Sequence, residues 1–393
     1  MDMIGLLVDV DGNSDIDWQT VLETRDLPVS LAAASPMEVA PMLETGNVVM
    51  MVLFVRSNKK EALNLLEIFR KKIGAIPHFQ GIVCSDPDPF FMSDVFEFGI
   101  ETFFKEENWI EEIIQFAQGI GKIMADENSA EFQTIHLHQV ISRGDHKEIR
   151  KAGDVLSASR DHDFMAAYSL GNALEAMGDY NGAASAFASS QKLNRFFRPA
   201  ETSLAENLLV SGHAEEALAV YGNLERLNPR NVARKAAMVS AYLENGDVEK
   251  AEELMDSAKK MDASHPKLKE AAVQILLFRG KVGDAFQLMD QLDDVGPLFA
   301  AKINEMGIKL SKMGKGKSAI ALYARAHKIV KKELKYKISL NAALACYRLS
   351  EFQKALEFLD RAELELGHPY EKIEKIRKAS ILGLKNNRGQ STG

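Results

Sequence analysis

The chain has 393 residues, 46% of them apolar and 26% charged, and carries a net charge of −8 at neutral pH. That length is enough for two or three domains of a soluble globular kind. Two distant cysteines, Cys84 and Cys346, exclude a disulfide framework and a zinc spacing and suit a reducing cytosol, so a cytoplasmic location is expected. The opening "MDMIGLLVDVDG" has no basic region and carries aspartates in its apolar run, so it does not read as a signal peptide. No apolar run approaches the length of a membrane span.

Residues 1–124 alternate apolar runs with amphipathic ones. The strand candidates are "MIGLLVDV", "LPVSLAAA", "VVMMVLFV", "FQGIVCS" and "IETFFK". The helix candidates are "IDWQTVLETR", "PMEVAPMLETG", "KKEALNLLEIFRKKIG", "PFFMSDVFEFG" and "NWIEEIIQFAQGIGKIMA". Five β–α units of this size predict a doubly wound α/β domain with a parallel sheet, in which ligand chemistry sits at the carboxyl ends of the strands.

The first strand runs into acids at Asp9, Asp11, Asp15 and Asp17. A calcium loop counted from Asp9 needs glycine in its sixth place and glutamate in its twelfth, and these hold Ser14 and Thr20, so that reading fails. Aspartates there also have a plain structural use, capping the following turn or helix. Both a site and a cap remain open for Asp9 and Asp11.

The size and order of the units resemble the receiver domain of bacterial response regulators, a flavodoxin-like fold. The resemblance implies an acidic pair after the first strand for Mg²⁺, an acceptor aspartate after the third, Ser or Thr after the fourth and Lys after the fifth. Asp9, Asp11, Ser85 and Lys105 match, with Phe103 as the usual aromatic. Val52 stands where the acceptor is expected, and no acid lies between Glu44 and Glu61. The domain is therefore read as a pseudo-receiver that binds without accepting phosphate. "LLVDVDGN" is also similar to the first motif of haloacid-dehalogenase phosphatases, in which Asp9 would be the nucleophile, but a late acidic pair is missing.

From residue 130 onward the chain repeats. Glycine recurs every 34 residues at Gly144, Gly178, Gly212, Gly246, Gly280 and Gly314. A small-residue column follows at Ala183, Ala217, Ala251, Ala285 and Ala319, then a bulky one at Phe187, Tyr221, Met255, Met289 and Tyr323. Each unit predicts two amphipathic helices joined by a turn at the glycine, closely approached at the alanine, with the bulky residue filling the space between hairpins. Pro229 and Pro297 are expected to stop the second helices. A sixth unit carries Ala355 and Leu359 after a two-residue insertion, with Ser350 in place of the glycine.

Period and columns resemble the tetratricopeptide repeat, most clearly in "AYSLGNALEAMGDYNGAASAFASSQKLN". The resemblance implies an all-α solenoid that binds peptide segments of other proteins and no catalysis. The expected organisation is a linker at 125–130, a degenerate repeat or cap at 131–163 with Ile149 and Gly153 in the column places, about six repeats at 164–369, a capping helix at 370–384 and a tail at 385–393. The groove implied by the family geometry is lined by Tyr168, Asn172, Thr202, Glu206, Leu209, Leu243, Gln274, Leu277, Asn304, Ile308, Leu340, Leu344 and Tyr347. Leu209, Leu243 and Leu277 form one column, read either as an apolar contact stripe or as core. The Lys/Asn pattern with which some relatives clamp a terminal carboxylate is not evident.

Two further groups stand out. His136, His138 and His146 lack acidic or cysteine company and are read as surface residues rather than metal ligands. "RAHKIVKKELKYK" reads as a basic helix, solvated or docking an acidic protein in preference to nucleic acid. Residues 1–124 hold 20 acids and 9 bases, a net of −11, and the remainder is net +3, which suggests domains with different partners or an attraction between them. The expectation is a cytoplasmic bacterial adaptor in signalling or motility control, without cofactor, metal or membrane insertion, with a homodimer open. Its rivals are a regulator phosphorylated on a displaced aspartate and a phosphatase built on Asp9 and Asp11.

Overall fold

A computed structural model describes residues 4–12, 27–44, 48–73, 80–84, 87–100, 102–104, 107–143, 145–292, 295–367 and 369–390. The expected helix at 16–25, with Asp15 and Asp17, and the residues Ser85, Lys105 and Gly144 lie outside them. The chain divides into two compact units, one of residues 1–207 and 223–229, the other of 208–222 and 230–393.

The first unit opens with β1 (Ile4–Asp9), β2 (Ser30–Ala34), α1 (Pro36–Glu44), β3 (Val48–Val55), α2 (Lys59–Ile73), β4 (Gln80–Cys84), α3 (Pro89–Glu97), β5 (Thr102–Phe104) and α4 (Trp109–Met124). The described strands pair in parallel in the order β2-β1-β3-β4-β5. β3 is central and buried along its whole length, which explains its unbroken run of apolar residues. Met51, Leu53 and Val55 join one apolar cluster, while Met50, Val52 and Phe54 join the cluster on the other face, as the two-residue alternation of a strand requires. Ser35 caps α1: Glu38 reaches back to accept from the Ser35 backbone N–H at 2.8 Å and its hydroxyl at 2.7 Å. Asp88 caps α3 through the N–H groups of Phe90 and Phe91 and pairs with Lys59 at 2.6 Å.

Helices follow for the rest of the chain: α5 (Ala130–Arg143), α6 (His146–Ser159), α7 (Phe164–Ala176), α8 (Tyr180–Leu193), α9 (Arg198–Val210), α10 (Ala214–Leu227), α11 (Val232–Glu244), α12 (Val248–Asp262), α13 (Pro266–Phe278), α14 (Val282–Met289), α15 (Pro297–Lys312), α16 (Gly316–Ile329), α17 (Lys335–Arg348), α18 (Phe352–Leu366) and α19 (Glu371–Gln390). The hairpin turns depend on one backbone conformation. Gly178, Gly212, Gly246, Gly280 and Gly314 have φ between 75° and 84°, the left-handed region that glycine enters without penalty. Ser350 adopts it too, at φ 61°, and is the one non-glycine residue to do so among the described residues. The alanines at 183, 217, 251, 285, 319 and 355 are fully buried.

The bulky column carries a volume rule. A Cβ at Gly171 would stand 2.4 Å from the Phe187 ring, and one at Gly307 would stand 2.4 Å from the Tyr323 ring. Where the filler is Met255 or Met289, the residue sixteen places earlier is Val239 or Val273, buried in the same cluster. Aromatic filler is matched with glycine or, at Tyr221, with the buried Ala205, and slimmer filler with valine, keeping the interior close-packed.

Three expectations are corrected, and one helix proves short. Pro297 begins α15 rather than ending the helix before it, because its fixed φ and missing N–H suit a first helical position. α14 has only 8 residues, and the chain beyond it forms an isolated parallel bridge between Val295 and Val330. "RAHKIVKKELKYK" is not one helix: α16 ends at Ile329, a 3₁₀ turn spans Lys332–Leu334 and α17 starts at Lys335. α19 continues to Gln390, past the expected end at 384.

The compact units do not part at 125–130. Within the first unit, the turn after α3 meets the start of α9, where a Cβ on Gly99 would stand 2.6 Å from Phe197 and 2.8 Å from Pro199. Asn228 Nδ2 donates to Asp94 Oδ1 at 2.9 Å in the same unit.

Candidate functional site

At the carboxyl end of the sheet the acids are engaged with backbone. Asp9 Oδ1 accepts from the N–H groups of Asp11 and Gly12, each at 3.2 Å. The Asp11 carboxylate accepts from the N–H groups of Arg56 at 2.7 Å, Ser57 at 3.1 Å and Asn58 at 2.9 Å, and from the Ser57 hydroxyl. Burial pulls the Asp11 carboxyl upward, but the bonds from Ser57, Arg56 and Asn58 outweigh it and hold the carboxyl below its ordinary value. Asp9 thus serves the turn that follows it, whereas Asp11 satisfies donors of the distant loop leading into α2. Val52 is buried in the middle of β3, opposite Leu7, and the strand runs three residues further. It therefore does not occupy the strand end, where Phe54, Val55 and then Arg56 stand. No acid lies there either. Among the described residues no group of three His, Cys, Asp or Glu side chains is placed to hold a metal. His136 stacks on Phe132.

The second unit carries a cleft of about 60 Å³ on its first helices. α13 packs beside α11, and α15 beside α13, as the repeat stacking demands. The apolar lining is Leu243, Leu277, Phe278, Ile303 and Met306. Ser240, Glu244, Gln274, Lys302, Glu305 and Lys309 supply the polar rim. Lys302, nearly buried, is paired with Glu244 and lies 3.5 Å from Glu305. Lys309 Nζ lies over the Phe278 ring, 5.1 Å from its centroid. Such a cleft holds a few waters or the end of one apolar side chain.

Of the expected groove residues, the cleft brings together Leu243, Gln274 and Leu277. Leu209 is wholly buried, so its column is core at that repeat, while Leu243 and Leu277 are core residues with an edge on the cleft. Tyr168 is buried among Phe187 and Phe197. Leu340 is buried as well. Asn172, Thr202, Asn304, Ile308 and Leu344 are half-buried, and Glu206 and Tyr347 are exposed. Tyr323, behind this face, donates to the Asn304 backbone carbonyl at 3.2 Å, and burial pushes its hydroxyl up to about 12 against the opposing charge of Arg348. The residues missed from sequence are Ser240 and Glu244 on α11, Phe278 on α13, and Lys302, Ile303, Glu305, Met306 and Lys309 on α15.

Residues 208–276 match the family model of the tetratricopeptide repeat. Solved structures with a similar course of chain include a tetratricopeptide repeat protein from Parabacteroides merdae, at 15% identity and TM-score 0.40 over 65% of this chain and 100% of that one. The Cut9–Hcn1 hetero-tetramer of the APC/C matches at 12% identity and TM-score 0.39, over 82% of this chain and 60% of that one. A thermophilic TPR protein of Thermus thermophilus matches at 17% identity and TM-score 0.34, over 56% of this chain and 99% of that one. No curated protein matches the sequence. Proteins of the repeat family generally mediate protein–protein interactions. No helix among the described residues is long and apolar enough to cross a membrane.

Proposed function

We propose that the chain is a non-catalytic adaptor that binds a segment of another protein across α11, α13 and α15. The observation that carries this is the cleft, in which Leu243, Leu277, Phe278, Ile303 and Met306 from three successive first helices converge under a polar rim. That combination of an apolar anchor pocket with orienting polar groups is the usual anatomy of a peptide-binding surface. Selection from a displayed peptide library against the full chain tests it. Selected peptides should bind in calorimetry, and Met306→Glu should weaken them roughly tenfold or more while helicity is retained. Peptides that bind the variant equally well place the ligand surface elsewhere.

The sheet is read as a pseudo-receiver in a signalling or motility assembly. Its strand order, shared with flavodoxin-like folds, supports this reading, as does the lack of an acid at the end of β3. The engagement of Asp11 by Arg56, Ser57 and Asn58 supports a structural rather than a metal-holding acid. Intact mass after treatment with Mg²⁺ and acetyl phosphate should be unchanged, and a stoichiometric gain of one phosphate ends the pseudo-receiver reading.

A further inference from the structure

Between residues 300 and 350 the chain holds twelve Lys and Arg against two acids, Glu305 and Glu333, in a protein of net charge −8. Two of these cations are neutralised internally, Lys302 by Glu244 and Glu305, and Arg325 by Asp290. Lys309, Lys312, Lys315, Lys317 and Arg348 are exposed and, among the described residues, have no ion-pair partner. They gather about the turn that joins α15 to α16. Lys309 lines the cleft, and Lys312 follows one helical turn along the same side of α15. Lys315 and Lys317 flank the start of α16. Arg348 ends α17, and its neighbour Leu349 packs at the start of α16, 2.6 Å from where a Cβ on Gly316 would stand. Like charges gathered without counter-ions repel one another, so this surface is complementary to an anionic partner.

We propose that the groove takes an acidic segment of a partner protein, one apolar side chain entering the cleft and carboxylates meeting Lys309, Lys312 and Arg348. This rests on the groove reading above and adds the chemistry of the occupant. A polypeptide fits better than a nucleic acid. The aromatic faces that bases need for stacking are taken, Phe278 by Lys309 and Tyr347 by Phe352. An apolar cleft beside cations suits a chain that alternates acidic and bulky apolar residues.

Fluorescence anisotropy on the full chain tests this with four probes: a short labelled peptide of Glu and Ala around a central Phe, its Lys-for-Glu counterpart, its Ser-for-Phe counterpart, and oligo-dT of equal length. At about 0.1 M salt the acidic Phe peptide should bind roughly tenfold tighter than each of the others, with the gap to the Lys peptide closing towards 1 M salt. Lys309→Glu/Lys312→Glu/Arg348→Glu should remove that preference. Lys328→Glu/Lys331→Glu/Lys332→Glu, at the far end of α16, should leave it. Equal binding of the Lys peptide, still lost in Met306→Glu, keeps the groove reading and overturns the acidic one. Oligo-dT binding as tightly overturns it in favour of nucleic acid, and an indifferent Ser counterpart overturns the anchor. Binding of no peptide overturns both readings.

Discussion

Replacing Gly280 by Ala should destabilise the second unit by about 0.5–1.5 kcal/mol, and the figure comes from the backbone alone. Gly280 sits at φ 75°, and a Cβ there would meet nothing within 4 Å, so neither clash nor new packing complicates the change. An L-residue in the left-handed region costs about 1–2 kcal/mol. Alanine returns about 0.4–1 kcal/mol by narrowing the unfolded ensemble. Ser350 supplies the reverse experiment, holding φ 61° with an exposed side chain that makes no described hydrogen bond. Ser350→Gly should stabilise by about 0.5–1 kcal/mol by the same two terms with signs exchanged. Urea unfolding followed by far-UV circular dichroism measures both, provided the slope with denaturant is unchanged. A neutral or stabilising Gly280→Ala, together with a destabilising Ser350→Gly, would refute the claim that the left-handed turn sets the hairpin.

Gly307→Val should cost about 1–3 kcal/mol, because its side chain enters the Tyr323 ring. Pairing it with Tyr323→Met, which recreates the Val239/Met255 combination, should recover about 1 kcal/mol or more in a double-mutant cycle, and strict additivity refutes the volume rule. Gly99→Val should cost about 2–4 kcal/mol in the first unit, from its φ of 76° and its contact with Phe197, read as a lowered urea midpoint. Asp11→Ala should cost about 1 kcal/mol at pH 7 through loss of the cap on 56–58. Because the folded Asp11 value is depressed, its contribution is complete above the unfolded value near 4 and is lost as pH falls through the folded one. The difference between wild type and variant should shrink in that acid range, and a difference that grows there contradicts the assignment.

Much of this architecture is legible in the sequence because two periods dominate it. β3 is found to the residue, since a central parallel strand buried on both faces must be apolar throughout. The hairpins follow from glycines whose left-handed backbone few other residues share. The failures have physical causes as well. Asp11 contacts a loop some 45 residues away, so no local pattern distinguishes a cap from a ligand. Val52 is matched to the acceptor place only by analogy of spacing, and its pairing within β3 puts it inside the strand rather than at the end. The cleft residues on α15 were missed because a cleft between parallel helices is walled by opposite flanks. Extending Gln274 by one repeat reaches Ile308 on the equivalent flank, while Lys302, Met306 and Lys309 lie on the flank turned back toward α13.

The most direct test of the groove is paramagnetic broadening of methyl resonances in the full chain by a nitroxide on a selected or acidic Phe peptide. The account predicts that methyls of Leu243, Leu277, Ile303 and Met306 broaden first, with Leu344 next along the groove. Broadening concentrated on exposed apolar residues outside it, such as Leu227 or Met261, with those cleft methyls unchanged, would contradict it.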